Sequence, residues 1–200
     1  MPLVDEPAPR DDGRMDLTPD TALVVIDVQQ GFDDASFWGR RDNPDAEQNI
    51  GLLLDAWQAS GRPVVVVQHT SVSSAPLLAD APGHALKAVV ADARPALLVD
   101  KQVNSAFYGT PDLHAWLTAA GIRQLVLCGI QTNMCVETTA RMGGNLGFDV
   151  VVPLDATRTF DLAGPDGSTV AAATLMAVTA ANLHGGGFAR VTTTAELLAG

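Results

Sequence analysis

ALVVIDV (Ala22–Val28) is apolar at every position but Asp27. A strand that is apolar without in–out alternation belongs to a sheet covered on both faces. The same reading extends outward to VVVVQ (Val64–Gln68), ALLV (Ala96–Val99), QLVLCGI (Gln124–Ile130), DVVVPL (Asp149–Leu154) and Phe188–Thr192. Between these strands lie segments of helical character. Asp45–Ser60 places Ile50, Leu53, Leu54 and Trp57 at helical spacing and is stopped by Gly61 and Pro63. Asp112–Ala120 ends before Gly121, Asn133–Leu146 ends at Gly147, and the alanine-rich Ser168–Leu183 runs into Gly185–Gly187. Alternation of this kind implies right-handed βαβ crossovers. The expectation is an α/β fold: a single doubly wound domain, with a six-stranded, mainly parallel sheet and helices on both faces. The domain spans residues 21–200 behind a polar, proline-bearing arm, residues 1–20.

Two hundred residues, 47% of them hydrophobic and 18% charged, suffice for a full core without metal or disulfide staples. The formal net charge of −11 repels phosphate backbones and anionic lipid, so neither nucleic acid nor a membrane surface is an expected partner. Two cysteines, Cys128 and Cys135, are too few for a disulfide scaffold. Asp5, Glu6, Arg10, Asp11 and Asp12 among prolines do not make a signal peptide, and a cytoplasmic location is expected.

Ligands of open α/β sheets bind outside the carboxyl ends of the strands. Asp27 closes the first strand, Lys101 follows the third, and Cys135 follows the fourth by a short turn. A thiol in a first helical turn feels the positive end of the helix dipole, which favours thiolate. Position alone leaves that reading level with a buried small hydrophobe, the fate that suits Cys128 inside its strand. Asp27 is a capping carboxylate or a partnered buried one. Lys101 by itself reads as an ordinary solvated lysine. The histidines His69, His84, His114 and His184 show no metal-binding spacing, and no C-x-x-C pattern exists. Gly143, Gly144 and Gly147 precede a strand, the wrong order for a dinucleotide loop. Phe37, Trp38, Phe107 and Tyr108 sit in loops leaving strands one and three, where they line a pocket or fill the core.

VIDVQQGF (Val25–Phe32), Lys101 with NSAFYGT (Asn104–Thr110), GIQTNMCV (Gly129–Val136), TTARMGGNLGF (Thr138–Phe148) and DATRTFD (Asp155–Asp161) decide between these readings. Together they resemble the isochorismatase-like cysteine hydrolases along essentially the whole folded length. The resemblance implies Asp27 as acid/base, Lys101 as its charged partner and Cys135 as nucleophile. It also implies a cis peptide at Ile130–Gln131 and an oxyanion hole from the backbone N–H groups of Gln131 and Cys135. Phe32, Trp38, Phe107 and Gln131 are the expected substrate contacts. The nicotinamidase branch carries a metal on an Asp-x-His motif with further histidines between the first two strands. Gln29–Gly61 contains no histidine, so the resemblance points to the metal-free amidohydrolase branch, with no cofactor.

The expected activity is therefore cysteine-dependent cleavage of a C–N bond in a small amide, lactam or carbamoyl compound through a thioester. The alternatives are a vinyl ether hydrolase of the isochorismatase type, which does not depend on a cysteine, and a redox-sensing or non-catalytic thiol protein on the same fold. The nearly uncharged Ser168–Leu183 helix calls for cover on more than one side, and a homo-oligomer, a dimer in the simplest case, is expected.

Overall fold

The computed structural model describes residues 17–199, so residues 1–16 of the expected arm, and Gly200, lie outside the described residues. The elements run β1 (Thr21–Ile26), α1 (Ala35–Trp38), α2 (Ala46–Ser60), β2 (Val64–His69), α3 (Ala88–Ala91), β3 (Leu97–Lys101), α4 (Leu113–Ala119) and β4 (Gln124–Ile130). There follow α5 (Glu137–Asn145), β5 (Asp149–Pro153), β6 (Thr157–Arg158), β7 (Leu162–Ala163), β8 (Thr169–Val170), α6 (Ala172–Gly185), β9 (Arg190–Thr192) and α7 (Thr194–Ala199).

The main sheet has the order β3-β2-β1-β4-β5-β9, and every pairing in it is parallel. A seventh strand, β6, pairs with the carboxyl end of β4 through Gly129 with Thr157 and Ile130 with Arg158. Six strands were expected; the seventh is only two residues long and too short to show as an apolar run. The chain winds outward from β1 to β3, returns to the centre at β4, and winds outward again to β9. The topological switch point therefore lies between the carboxyl ends of β1 and β4.

Continuous apolar strands split their side chains between two cores. Val24, Ile26, Val65, Val67, Leu125 and Leu127 face Leu113 and Leu117 of α4, Ala140 of α5 and Leu183 of α6. Leu23, Val25, Val64, Val66, Val126 and Cys128 face Ile50, Leu53 and Trp57 of α2, Val90 of α3 and Leu197 of α7. Burial on both faces is what the unalternating runs require.

Several element ends differ from the sequence reading: β3 runs on to include Lys101, β9 starts only at Arg190, and three further differences bear on the site or its helices. β1 stops at Ile26 because Asp27 adopts a left-handed backbone, φ 53°. The expected Asn133–Leu146 helix opens as a π-helical turn over Thr132–Val136 before α5 begins. The helix expected from Ser168 starts at Ala172 instead, because Thr169–Val170 pairs with Leu162–Ala163 in an antiparallel hairpin. Among the described residues, no helix is long and apolar enough to cross a membrane.

Candidate active site

The first strand delivers its acid in an unusual backbone state. A non-glycine residue at positive φ is uncommon and marks a turn or a functional constraint. The Asp27 N–H donates to Val67 O at 2.9 Å, which continues the ladder by one bond, and Gln29 N–H folds back onto Asp27 O at 2.9 Å. The reversal turns the carboxylate across the end of the sheet, where it is wholly buried.

The nucleophile candidate arrives from the neighbouring strand. At Gly129, φ is 123°, and a Cβ there would stand 2.0 Å from Ile26 O. No side chain fits so close an approach, and it brings the end of β4 against the end of β1. The peptide Ile130–Gln131 is cis. Gln131 O then accepts from Met134 N–H at 3.1 Å and from Val136 N–H at 3.2 Å, the second bond closing a π turn. Such turns concentrate at functional sites. Cys135 lies within this one, 7% exposed.

Lys101 ends β3, two strands from β1, and must cross the end of β2 to reach the site. Its Nζ donates to Asp27 Oδ2 at 2.6 Å, to Cys135 Sγ at 3.3 Å and to His69 Nδ1 at 2.9 Å. Both Lys101 and Asp27 have side chains with no solvent exposure. Asp27 Oδ1 is buried and has no conventional donor among the described residues, which leaves the thiol as the group beside it. The three residues expected from the strand ends thus meet in one place.

Charge states follow from this packing. Burial pushes the Cys135 thiol well above its ordinary range, Asp27 pushes it further, and Lys101 pulls it partly back. Desolvation and the neighbouring carboxylate thus oppose the helix dipole and favour the protonated thiol. Burial works against the Lys101 ammonium, but Asp27 and Cys135 more than offset it and hold its pKa above the usual lysine value. His69 lies below the ordinary histidine value, through burial and then the Lys101 charge, and is neutral at pH 7.

His69, Gln29 and Asn104 were not singled out as site residues. The fully buried Gln29 accepts the His69 N–H at 2.9 Å and donates to the His69 carbonyl at 3.1 Å and the His84 carbonyl at 2.8 Å. Asn104 Oδ1 lies 3.9 Å from Cys135 Sγ, at the exposed mouth of the site. A polar residue directly beyond an apolar strand run is the signal that would have found Gln29, whereas the place of His69 depends on strand order.

The aromatic residues divide. Phe32 meets Trp38 in a tilted contact at 4.9 Å and stacks on Phe160 at 6.1 Å, and Trp38 donates through Nε1 to Gly31 O at 2.8 Å. Ile130, which precedes the cis peptide, packs against this group. Phe107 instead stands in the main core with its ring on Phe148 at 6.0 Å. Gln131 is 9% exposed, and its Oε1 is buried without a donor among the described residues. A cavity of about 710 Å³ lies on the Lys101 side, lined by Asp100, Lys101, Gln102, Val103, Tyr108 and Thr110.

Two loops wall the site together. Gln30 N–H donates to Ala85 O at 2.8 Å and Lys87 N–H to Val28 O at 2.9 Å. Lys87 also pairs with Asp33 at 2.5 Å and Glu47 at 2.6 Å, and Arg158, 1% exposed, pairs with the same two carboxylates.

Asp27, His69 and Cys135 offer ligand atoms within 4.8 Å of one another, the arrangement a metal ion could use. The Lys101 ammonium already donates to all three, so a divalent ion would have to displace a buried lysine.

Residues 21–196 match the family model described as the isochorismatase domain. The isochorismatase family protein YrdC of Bacillus subtilis (strain 168) is 39% identical over 178 residues, covering 88% of this chain and 94% of that protein. A streptothricin hydrolase of Streptomyces noursei is 34% identical over 154 residues, 76% of this chain and 59% of its own. A solved isochorismatase-family protein from Chromobacterium violaceum ATCC 12472 superposes with a TM-score of 0.85 at 41% identity, covering 91% of this chain and 93% of that one.

Proposed function

The chain belongs to the isochorismatase family of hydrolases, and from that premise we propose that it is a cysteine amidohydrolase cleaving a C–N bond in a small amide, lactam or carbamoyl compound. The observation that carries this reading is the buried contact of Lys101 with both Asp27 and Cys135 at the switch point. A vinyl ether hydrolysis needs no thiol, and a redox sensor needs only an accessible one. Here the thiol is buried beside a carboxylate with one unpaired oxygen and an ammonium, the parts of an activated nucleophile.

In the proposed reaction Asp27 takes the thiol proton as sulfur attacks the substrate carbonyl. The oxyanion is held by the backbone N–H groups of Gln131 and Cys135, each such donor supplying about 2.7–4 kcal/mol of barrier lowering. Collapse of the adduct breaks the C–N bond, and Asp27 returns its proton to the departing ammonia or amine. Water, deprotonated by the same carboxylate, then hydrolyses the thioester and releases the acid and the free thiol. Lys101 stays an ammonium throughout and balances the charge that moves between Asp27 and Cys135. Phe32 and Trp38, extended by Phe160, supply an apolar wall for the acyl part, and no metal takes part.

A screen of small amides and ureido compounds, scored by ammonia release, tests the reading. Release by the wild-type enzyme but not by Cys135→Ala supports it. Equal release by both, or hydrolysis confined to vinyl ethers, overturns it.

A further inference from the structure

We infer that His69 is a positioning residue of the site: as a neutral imidazole it accepts the third N–H of Lys101 at Nδ1 and fixes the ammonium between Asp27 and Cys135. The geometric part stands alone; its effect on the thiol rests on the reading of Cys135 as nucleophile.

An ammonium has three N–H groups and no acceptor. Asp27 and Cys135 take two of them, and His69 Nδ1, at 2.9 Å, takes the third. The Lys101 side chain has no solvent exposure, so water does not replace a lost acceptor. Leaving an N–H of a buried charge unpaired carries its full desolvation cost. Since the ammonium only donates, His69 Nδ1 must be bare and the ring hydrogen must sit on Nε2. The neutral state set by burial and by the Lys101 charge agrees with this.

The sheet order explains why this residue is the one in contact. β2 lies between β3 and β1, and His69 is the register partner of Lys101 at the end of β2. A lysine reaching from β3 to Asp27 has to pass over that position. His69 is itself held from below. Gln29, two residues beyond Asp27, clamps both its N–H and its carbonyl. The extension of β1 that carries the acid therefore also fixes the histidine. With all three N–H groups engaged, Lys101 keeps no donor for substrate and acts through charge and position.

The test separates an acceptor from mere bulk. Asn carries Oδ1 on Cγ where His carries Nδ1, whereas Leu puts a methyl there. Alkylation of Cys135 by iodoacetamide, followed by peptide mass spectrometry, reads the thiol without a known substrate. A hydrogen bond to a charged group is strong enough that His69→Leu should slow alkylation about tenfold or more, while His69→Asn stays within about threefold of wild type. Long-range ¹H–¹⁵N spectra at pH 7, with the His69 signals assigned by their loss in His69→Asn, should show a bare Nδ1 and a protonated Nε2. The inference is overturned if folded His69→Leu alkylates like wild type, if folded His69→Asn is as slow as Leu, or if Nδ1 carries the proton. A Cys135→Ala enzyme that still turns over substrate would remove the nucleophile reading instead, and would leave the tautomer result standing.

Discussion

Cys128, near the end of β4, and Cys135, in the turn that follows that strand, share more than they differ. Both are free thiols, both are buried, and burial pushes both well above the ordinary cysteine range. Cys128 lies in β4 among Val25, Val126 and Val151, and burial is the sole cause of its shift. Cys135 also packs against a core cluster, yet Asp27 from β1 and Lys101 from β3 act on it in opposite directions. The difference is made by charges that other strands bring to the switch point. Burial does not distinguish the two thiols.

The largest effect expected from this contrast is on turnover. Cys135→Ala should abolish it, whereas Cys128→Ala should keep it and lose only about 1 kcal/mol of stability to the small void. Ammonia release and urea melts check the two halves. Next come the charges. Asp27→Asn and Lys101→Ala should each lower turnover by about 10²–10⁴-fold, and the double variant should be scarcely worse than either, because the residues act as a unit. Lys101→Ala should also cost about 3–5 kcal/mol of stability, since it strands a buried carboxylate.

Alkylation of Cys135 separates the two charges, because its sign departs from that of turnover. Asp27 raises the thiol pKa and Lys101 lowers it. The pH–rate profile of alkylation should therefore move to lower pH in Asp27→Asn, making the thiol more reactive near neutrality as turnover falls. In Lys101→Ala it should move to higher pH. Cys128 should be unreactive in all three folded proteins, having no opening to solvent.

The smallest effect on either thiol is expected from α6. This helix contains no Asp, Glu, Lys or Arg, buries only Ala172, Thr179 and Leu183, and leaves Val178 51% exposed. We propose that this face meets a second copy of the chain, since an uncharged face can oppose itself in an acidic protein. Light scattering at micromolar concentration should give a dimer, and Val178→Glu a monomer with unchanged Cys135 alkylation. A wild-type monomer contradicts the proposal.

The strands were legible because a sheet buried on both faces writes itself as unbroken apolar runs. The hairpin Leu162–Val170 was not, because its two-residue strands carry no period. The start of α6 is set by Asp161 Oδ1 accepting the Ala172 N–H at 2.7 Å, a cap that lies eleven residues upstream of the group it caps. Asp27, Lys101 and Cys135 stood out at strand ends and within motifs. His69 did not, because its role depends on β2 lying between β3 and β1, which is a property of strand order. Phe107 and Trp38 looked alike as loop aromatics, and packing sent one to the core and the other to the wall beside Phe32.

Nucleophilic attack by Cys135 requires a covalent acyl intermediate on its sulfur. Acid-quenching the enzyme during turnover of an amide found by the screen, then measuring intact mass and mapping peptides, tests it directly. An added acyl mass is expected on the peptide containing Cys135, removed by hydroxylamine and absent from Cys135→Ala. A folded Cys135→Ala protein with near-normal turnover, or an acyl mass on another residue, would contradict it.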